Sequence, residues 1–212
     1  MILNWWPPRS GYTARSGDPE PMNYDAVVMG VSAGGLAALS AIIPKLDQDL
    51  PVPVMIVQHL SPDSDDFLPR HLDSLSPIRV TEAEDKQEAA PGTVYTAPAN
   101  YHLMVDENRF LVLSVDQRVN YSRPSIDVLF EAAADVYQKH LIGVILTGAN
   151  EDGAKGVFRI KRNGGMVIVQ SPETAQADTM PNAAIQATQA DMILPLDDIG
   201  VTINQIIMEN IA

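Results

Sequence analysis

The stretch Ala26-Val27-Val28-Met29-Gly30-Val31-Ser32-Ala33-Gly34-Gly35, with the run Leu36-Ala37-Ala38-Leu39 behind it, decides the fold. Its first four residues are apolar with no polar residue among them. A strand written this way is covered on both faces, as a parallel sheet requires. The glycines at 30, 34 and 35 then allow a tight turn. From Leu36 to Leu46 the apolar spacing takes on the period of a helix.

The same unit recurs on working outward. Pro53-Val54-Met55-Ile56-Val57 predicts a second strand, with a helix around Asp66 to Leu75 behind it. Short strands follow at 78–80 and 93–96, and residues 109–113 pair with His102 to Val105 as a hairpin. A helix from Ser125 to Lys139 leads into a strand at 143–146, and a further helix runs from beyond Asp152 to Arg162. Strands at 165–169 and 192–194 and a helix over 199–210 close the chain. This alternation predicts an α/β fold: a doubly wound, mostly parallel sheet with helices on both faces and a β-hairpin. Residues 1–23 carry Pro7, Pro8, Gly11, Gly17, Pro19 and Pro21 without periodicity and read as a leader or linker segment. That leaves 24–212 as one domain; the paired Trp5 and Trp6 belong to the linker.

Composition narrows the function. A chain of 212 residues suffices for one good-sized domain. The absence of cysteine excludes disulfides, thiolate metal sites and cysteine nucleophiles. A net charge of −13 repels phosphate backbones, so no nucleic acid partner is expected. No stretch approaches the roughly 20 apolar residues that span a bilayer, and the opening Met1-Ile2-Leu3-Asn4-Trp5-Trp6-Pro7-Pro8 is too interrupted for a signal peptide. We expect a cytoplasmic protein that is not embedded in a membrane.

In open α/β sheets, function gathers beyond the carboxyl ends of the strands. Ser32 follows the first strand, Gln58-His59-Leu60 the second, and Thr147-Gly148-Ala149-Asn150-Glu151-Asp152-Gly153 the strand at 143–146. A serine, a histidine and an aspartate thus emerge on one edge, the set that nucleophilic acyl transfer needs. Serine is a weak nucleophile until a base takes its proton. Histidine accepts that proton and returns it to the leaving group. A carboxylate fixes the imidazole tautomer and stabilises the imidazolium. Backbone N–H groups at Ala33 and its neighbours, where a helix begins, are natural oxyanion donors.

Each element also has a plainer reading. Ser32 and Asp152 have the residue types that cap helices, and His59 alone would be a packed histidine. The turn at 30–35 does not match the glycine spacing of a dinucleotide fingerprint, and no Gly-Lys-Ser/Thr phosphate loop follows. No cofactor is therefore expected. His59, Asp63, Asp65 and Asp66 would form a metal site, but acids ahead of Phe67 read better as the charged first turn of a helix, so no metal is expected. Among the other histidines, His140 precedes its strand, His71 lies on a surface helix, and His102 is the best substitute base. Gly30-x-Ser32-x-Gly34 is similar to the nucleophile elbow of the α/β-hydrolases, yet no histidine follows Asp152 as that class requires.

The order Ser-His-Asp, set in Gly30-Val31-Ser32-Ala33-Gly34-Gly35, Val57-Gln58-His59 and Leu146-Thr147-Gly148-x-x-x-Asp152-Gly153-Ala154, resembles the catalytic domain of the chemotaxis protein-glutamate methylesterases (CheB). The likeness continues in Ala90-Pro91-Gly92, Arg123-Pro124-Ser125-Ile126-Asp127-Val128-Leu129-Phe130, Asn163-Gly164-Gly165 and Thr179-Met180-Pro181-Asn182-Ala183-Ala184-Ile185. It covers about residues 24 to 208. The resemblance implies an esterase that demethylates glutamyl methyl esters on chemoreceptor helices and releases methanol, with glutamine deamidation as a second activity. Carried over by position, Ser32 is the nucleophile, His59 the base and Asp152 the orienting acid. Many members also carry an amino-terminal receiver domain, for which 23 residues are too few, so a stand-alone esterase domain is expected.

Two positions depart from the family pattern. Ala33 stands where threonine usually follows the nucleophile, and Ala149 where methionine usually precedes the acid by three. Both positions line the family's active site, together with Gly34, so altered efficiency or specificity is implied. The loop 171–181, with Met180 and Pro181 ahead of a helix, is expected to wall the substrate groove. The same residues admit a second reading, a catalytically weakened adaptor that docks on receptor-like helices.

Overall fold

The computed structural model describes residues 23–209. Its central strand, β1 (Ala26–Val31), is buried along its whole length. Around it lie β2 (Val54–Gln58), β3 (Arg79–Glu82), β4 (Thr93–Thr96), β7 (Leu141–Ile145), β8 (Met166–Gln170) and β9 (Met192–Leu194). They form one seven-stranded sheet in the order β3-β4-β2-β1-β7-β8-β9. Every pairing in it is parallel. The intervening β5 (His102–Val105) and β6 (Leu111–Ser114) make the separate antiparallel hairpin.

The pleat of β1 sorts the core. Val27, Met29 and Val31 face one side, where α1 (Gly35–Ile42), α2 (Phe67–Leu75) and α6 (Leu196–Glu209) pack through Leu39, Leu72 and Ile203. Ala26 and Val28 face the other, covered by α3 (Ile126–Tyr137), α4 (Ala154–Arg162) and α5 (Thr179–Ala187) through Phe130, Ile160 and Ala184. A fully buried valine or leucine stabilises the fold by roughly 1.5–3 kcal/mol. The unbroken apolar run of the sequence is thus a strand with two buried faces.

This winding positions the site. The chain leaves β1 through α1 on one face of the sheet, and leaves the adjacent β7 through α4 on the other. Connections that diverge from neighbouring strands leave a crevice at their carboxyl ends.

Element limits differ from the sequence reading in informative places. α1 ends at Ile42, because Pro44 turns the next residues into a 3₁₀ segment, Ile43–Lys45. α6 starts at Leu196 rather than 199, with Asp197 and Asp198 in its first turn, where acids suit the positive helix end. α5 begins at Thr179, so Met180 and Pro181 lie inside its first turn rather than ahead of it. The leader or linker segment, with Trp5 and Trp6, lies outside the described residues apart from Asn23. No helix among the described residues is long and apolar enough to cross a membrane.

Candidate active site

Ser32 stands one residue beyond β1, His59 one beyond β2, and Asp152 at the end of the loop joining β7 to α4. Three neighbouring central strands therefore deliver the three side chains. Gly34 and Gly153 precede α1 and α4 with φ of 81° and 95°, a left-handed conformation that side chains resist. Each lets the chain turn into its helix within two residues of the polar side chain it presents, Ser32 or Asp152. The loops are tied together. The Ser32 N–H donates to Thr147 O at 2.9 Å, and the His59 N–H to Val31 O at 3.1 Å. Thr147 Oγ1 donates to Ala33 O at 2.8 Å. Gln58 Nε2 donates to Ser32 O at 3.1 Å.

Ser32 Oγ lies 3.1 Å from His59 Nδ1, and His59 Nε2 lies 2.8 Å from Asp152 Oδ2. An ionised carboxylate only accepts, so Nε2 carries the proton and Nδ1 keeps its lone pair for the Ser32 hydroxyl. The Asp152 side chain is 0% exposed and that of His59 12% exposed, so only the histidine meets solvent.

Asp152 is held more firmly than its sequence context indicates. Oδ2 also accepts the Ile126 N–H at 2.7 Å. Oδ1 accepts Ser125 Oγ–H at 2.9 Å, the Asp127 N–H at 3.2 Å and Asn120 Nδ2 at 2.9 Å. The Ile126 and Asp127 donors open α3, whose positive end favours a carboxylate. Burial alone pushes the Asp152 carboxyl up, but the bonds from His59, Ile126 and Asn120 outweigh it and hold the group below the usual carboxylate range. Neighbouring Asp127 is pushed the other way by burial and by the Asp152 charge, despite the Gly156 N–H and the Asn120 amide. Asn120 bridges the two, donating to Asp127 Oδ2 at 2.9 Å.

Of the lining residues expected from sequence, Ala33 and Ala149 are exposed and Gly34 half-buried. Met180 is buried, and its N–H donates to Gly148 O at 2.9 Å, so it supports the loop after β7 from beneath. Pro181 is buried with it. The cleft beside His59, of about 190 Å³, is walled instead by Leu60 and Pro62 and by Arg118, Tyr121, Ser122 and Arg123. A larger hollow of about 410 Å³ lies between α3 and α4, lined by Glu131, Lys155 and Phe158, and no triad residue borders it.

Asn120, Ser125, Asn150 and the 118–123 wall escaped the sequence reading. Asn150 Oδ1 accepts the Asp152 N–H at 3.1 Å, which leaves its Nδ2 3.4 Å from His59 Nδ1. The signals in the sequence are Ser125 as a helix start, the Arg123-Pro124-Ser125-Ile126-Asp127 motif around it, and the place of Asn150 in the loop before Asp152.

The other histidines have structural partners. His102 is buried at the start of β5, with Nδ1 accepting the Ser125 N–H at 3.2 Å and Nε2 3.1 Å from Gln117 O. It has no lone pair to offer Ser32. His140 precedes β7, at the opposite sheet edge, and its Nδ1 meets Asn23 O. His71 stacks on Phe67 and approaches Ser40 of α1, so it is not freely solvated. Asp65 accepts the Phe67 N–H at 3.1 Å and Asp66 pairs with Arg70 at 2.8 Å, opening α2. Among the described residues no three His, Cys, Asp or Glu side chains are grouped to hold a metal ion.

The fold is that of a doubly wound α/β protein, and the constellation has the Ser-His-Asp geometry that nucleophilic acyl transfer requires. More particularly, the chain belongs to the CheB methylesterase family, whose sequence model matches residues 27–203. A solved structure of the Thermotoga maritima CheB methylesterase catalytic domain superposes with a TM-score of 0.82 at 38% identity, covering 88% of this chain and 99% of that one. A Leptospira interrogans protein is 51% identical over 179 residues, 84% of this chain and 93% of its own. It carries, provisionally, the name protein-glutamate methylesterase/protein-glutamine glutaminase. A Thermotoga maritima protein of that name is 41% identical over 172 residues, 80% of this chain but only 50% of its own length.

Proposed function

We propose that this chain hydrolyses glutamyl methyl esters on a chemoreceptor-like protein in the cytoplasm, and deamidates glutamine by the same route. Ser32 Oγ attacks the side-chain carbonyl while its proton passes to His59 Nδ1. Asp152, kept ionised at Nε2, stabilises the imidazolium. The Ala33 and Gly34 N–H groups, which donate to no other described residue, receive the oxyanion. Collapse expels methanol, or ammonia from an amide, with the proton returned from Nδ1. Water then repeats the sequence on the acyl-enzyme and releases a glutamate carboxylate. The relatives' names, which couple methylesterase with glutaminase, support both leaving groups.

The observation that carries this reading is the continuous chain from Ser32 through His59 to Asp152, at 3.1 and 2.8 Å. A serine-reactive phosphonate probe tests it. Labelling of Ser32 at pH 8, lost in Ser32→Ala, with methanol release from methylated receptor fragments, is the expected outcome. An unlabelled protein that still binds those fragments would establish the adaptor reading instead.

A further inference from the structure

The chain carries 27 acidic against 14 basic residues, yet no acid lines the cleft beside His59. Two arginines do, and they are not equivalent. Arg123 is engaged through four bonds: Nη1 donates to Val115 O and Asp116 O at 2.6 and 2.9 Å, and Nε and Nη2 to Asn100 Oδ1 at 3.2 and 2.8 Å. It braces the 115–123 loop from within. Arg118, on the same wall, makes no hydrogen bond or ion pair among the described residues. Tyr121 beside it is 97% exposed. Its φ of 63° follows 49° at Asn120, two left-handed residues that cost roughly 1–2 kcal/mol each outside glycine. The Asn120 amide, pinned to Asp152 and Asp127, holds that turn in place. The loop that fixes the triad's acid therefore presents a free guanidinium and a bare aromatic ring at the mouth of the cleft.

We infer that Arg118 binds a carboxylate that flanks the scissile ester in the substrate, with the Tyr121 ring lying against the same segment. The site thereby selects glutamyl esters embedded in acidic sequence. This rests on the hydrolase reading above, and it adds a substrate subsite to that reading. The ester is itself neutral and its oxyanion is received by the Ala33 and Gly34 N–H groups, so the cation is left to act on the ester's neighbours. Arginine's planar fork takes a carboxylate through two parallel bonds.

Two synthetic peptides test it, each with one glutamyl methyl ester, one flanked by glutamates and the other by glutamines. The wild-type protein should prefer the acidic peptide by about 5- to 10-fold in kcat/KM, carried by KM, with the preference shrinking in 0.5 M salt. Arg118→Gln should lower kcat/KM on the acidic peptide far more than on the glutamine peptide, so that the preference disappears. Arg118→Lys should retain part of it. Equal turnover of both peptides by the wild type, or an equal loss on both in Arg118→Gln, overturns the subsite and leaves the hydrolase standing. Absence of both labelling and turnover in the wild type overturns the hydrolase reading and the subsite with it.

Discussion

Replacing Asn120 tests the geometry most sharply, because its side chain touches neither Ser32 nor His59. Its amide donates to Asp152 Oδ1 and to Asp127 Oδ2, both at 2.9 Å. A hydrogen bond to a charged group contributes about 1.5–3 kcal/mol. Losing two would cost about 3 kcal/mol at the low end, were nothing to replace them. Replacement is partial: Asp152 Oδ1 keeps Ser125 and Asp127, Asp127 keeps the Gly156 N–H at 2.8 Å, and water reaches the exposed position 120. We therefore expect a loss of about 1.5–2 kcal/mol in stability. Asn120→Gly is the cleaner variant, since glycine accepts the φ of 49° that alanine would resist. Without the amide, Asp152 loses one of the bonds holding its carboxyl down, so its pKa rises. Turnover should drop about tenfold, equivalent to 1.4 kcal/mol, with the acid limb of the pH–rate profile displaced upward. Urea denaturation and a kcat profile from pH 4 to 9 on a methyl-ester peptide measure both effects. A folded Asn120→Gly with wild-type kcat and an unmoved acid limb would refute the reasoning.

Asp152→Asn should lower kcat by about 10⁴, because an amide can offer Nδ2 to His59 and strand the proton on Nδ1, facing Ser32; turnover with an unchanged circular dichroism spectrum checks this. The same carboxyl gives a pH signature. Its folded pKa is depressed, so its contribution to stability is complete above the unfolded value of about 3.9 and is lost as pH falls through the folded value. Urea midpoints measured between pH 5 and 2 should therefore fall less steeply in Asp152→Asn than in the wild type. His59→Ala should abolish turnover with little change in stability. His102→Ala should do the reverse, costing about 2–4 kcal/mol by stranding the Ser125 N–H and the Gln117 carbonyl and emptying a buried site, with turnover only partly reduced. Loss of all turnover in a stable His102→Ala would make His102 the base.

Much of this was legible because β-strands and their ends are local features. The apolar runs at 26–29, 53–57 and 143–146 announce strands buried on both faces, and the loops that follow them open at the carboxyl edge. Ser32, His59 and Asp152 lie in the loops that open there, three, two and six positions beyond the runs, which puts them on one rim without reference to distance. What stayed hidden depends on side chains that reach across the chain. Asn120 meets Asp152 across 32 positions, and nothing in Val119-Asn120-Tyr121 signals an amide aimed inward. Met180 illustrates the opposite error. Its proximity to a proline suggested a loop wall, but proline is tolerated in a first helical turn, and α5 draws Met180 under Gly148.

The loop from 115 to 123 then links two properties that a triad alone would keep separate. Its floor is anchored by Arg123 and by the His102–Gln117 bond, its middle holds Asp152 through Asn120, and its rim displays Arg118 and Tyr121. A segment seated on that rim rests on the same backbone that carries the Asn120 amide. That backbone is already fixed by Arg123 and Asn120, so a carboxylate on Arg118 adds to binding and leaves the support of Asp152 as it is in the free protein. The rate on small esters is then the baseline against which acidic flanks act, and the loss in Arg118→Gln is read as a ratio to it.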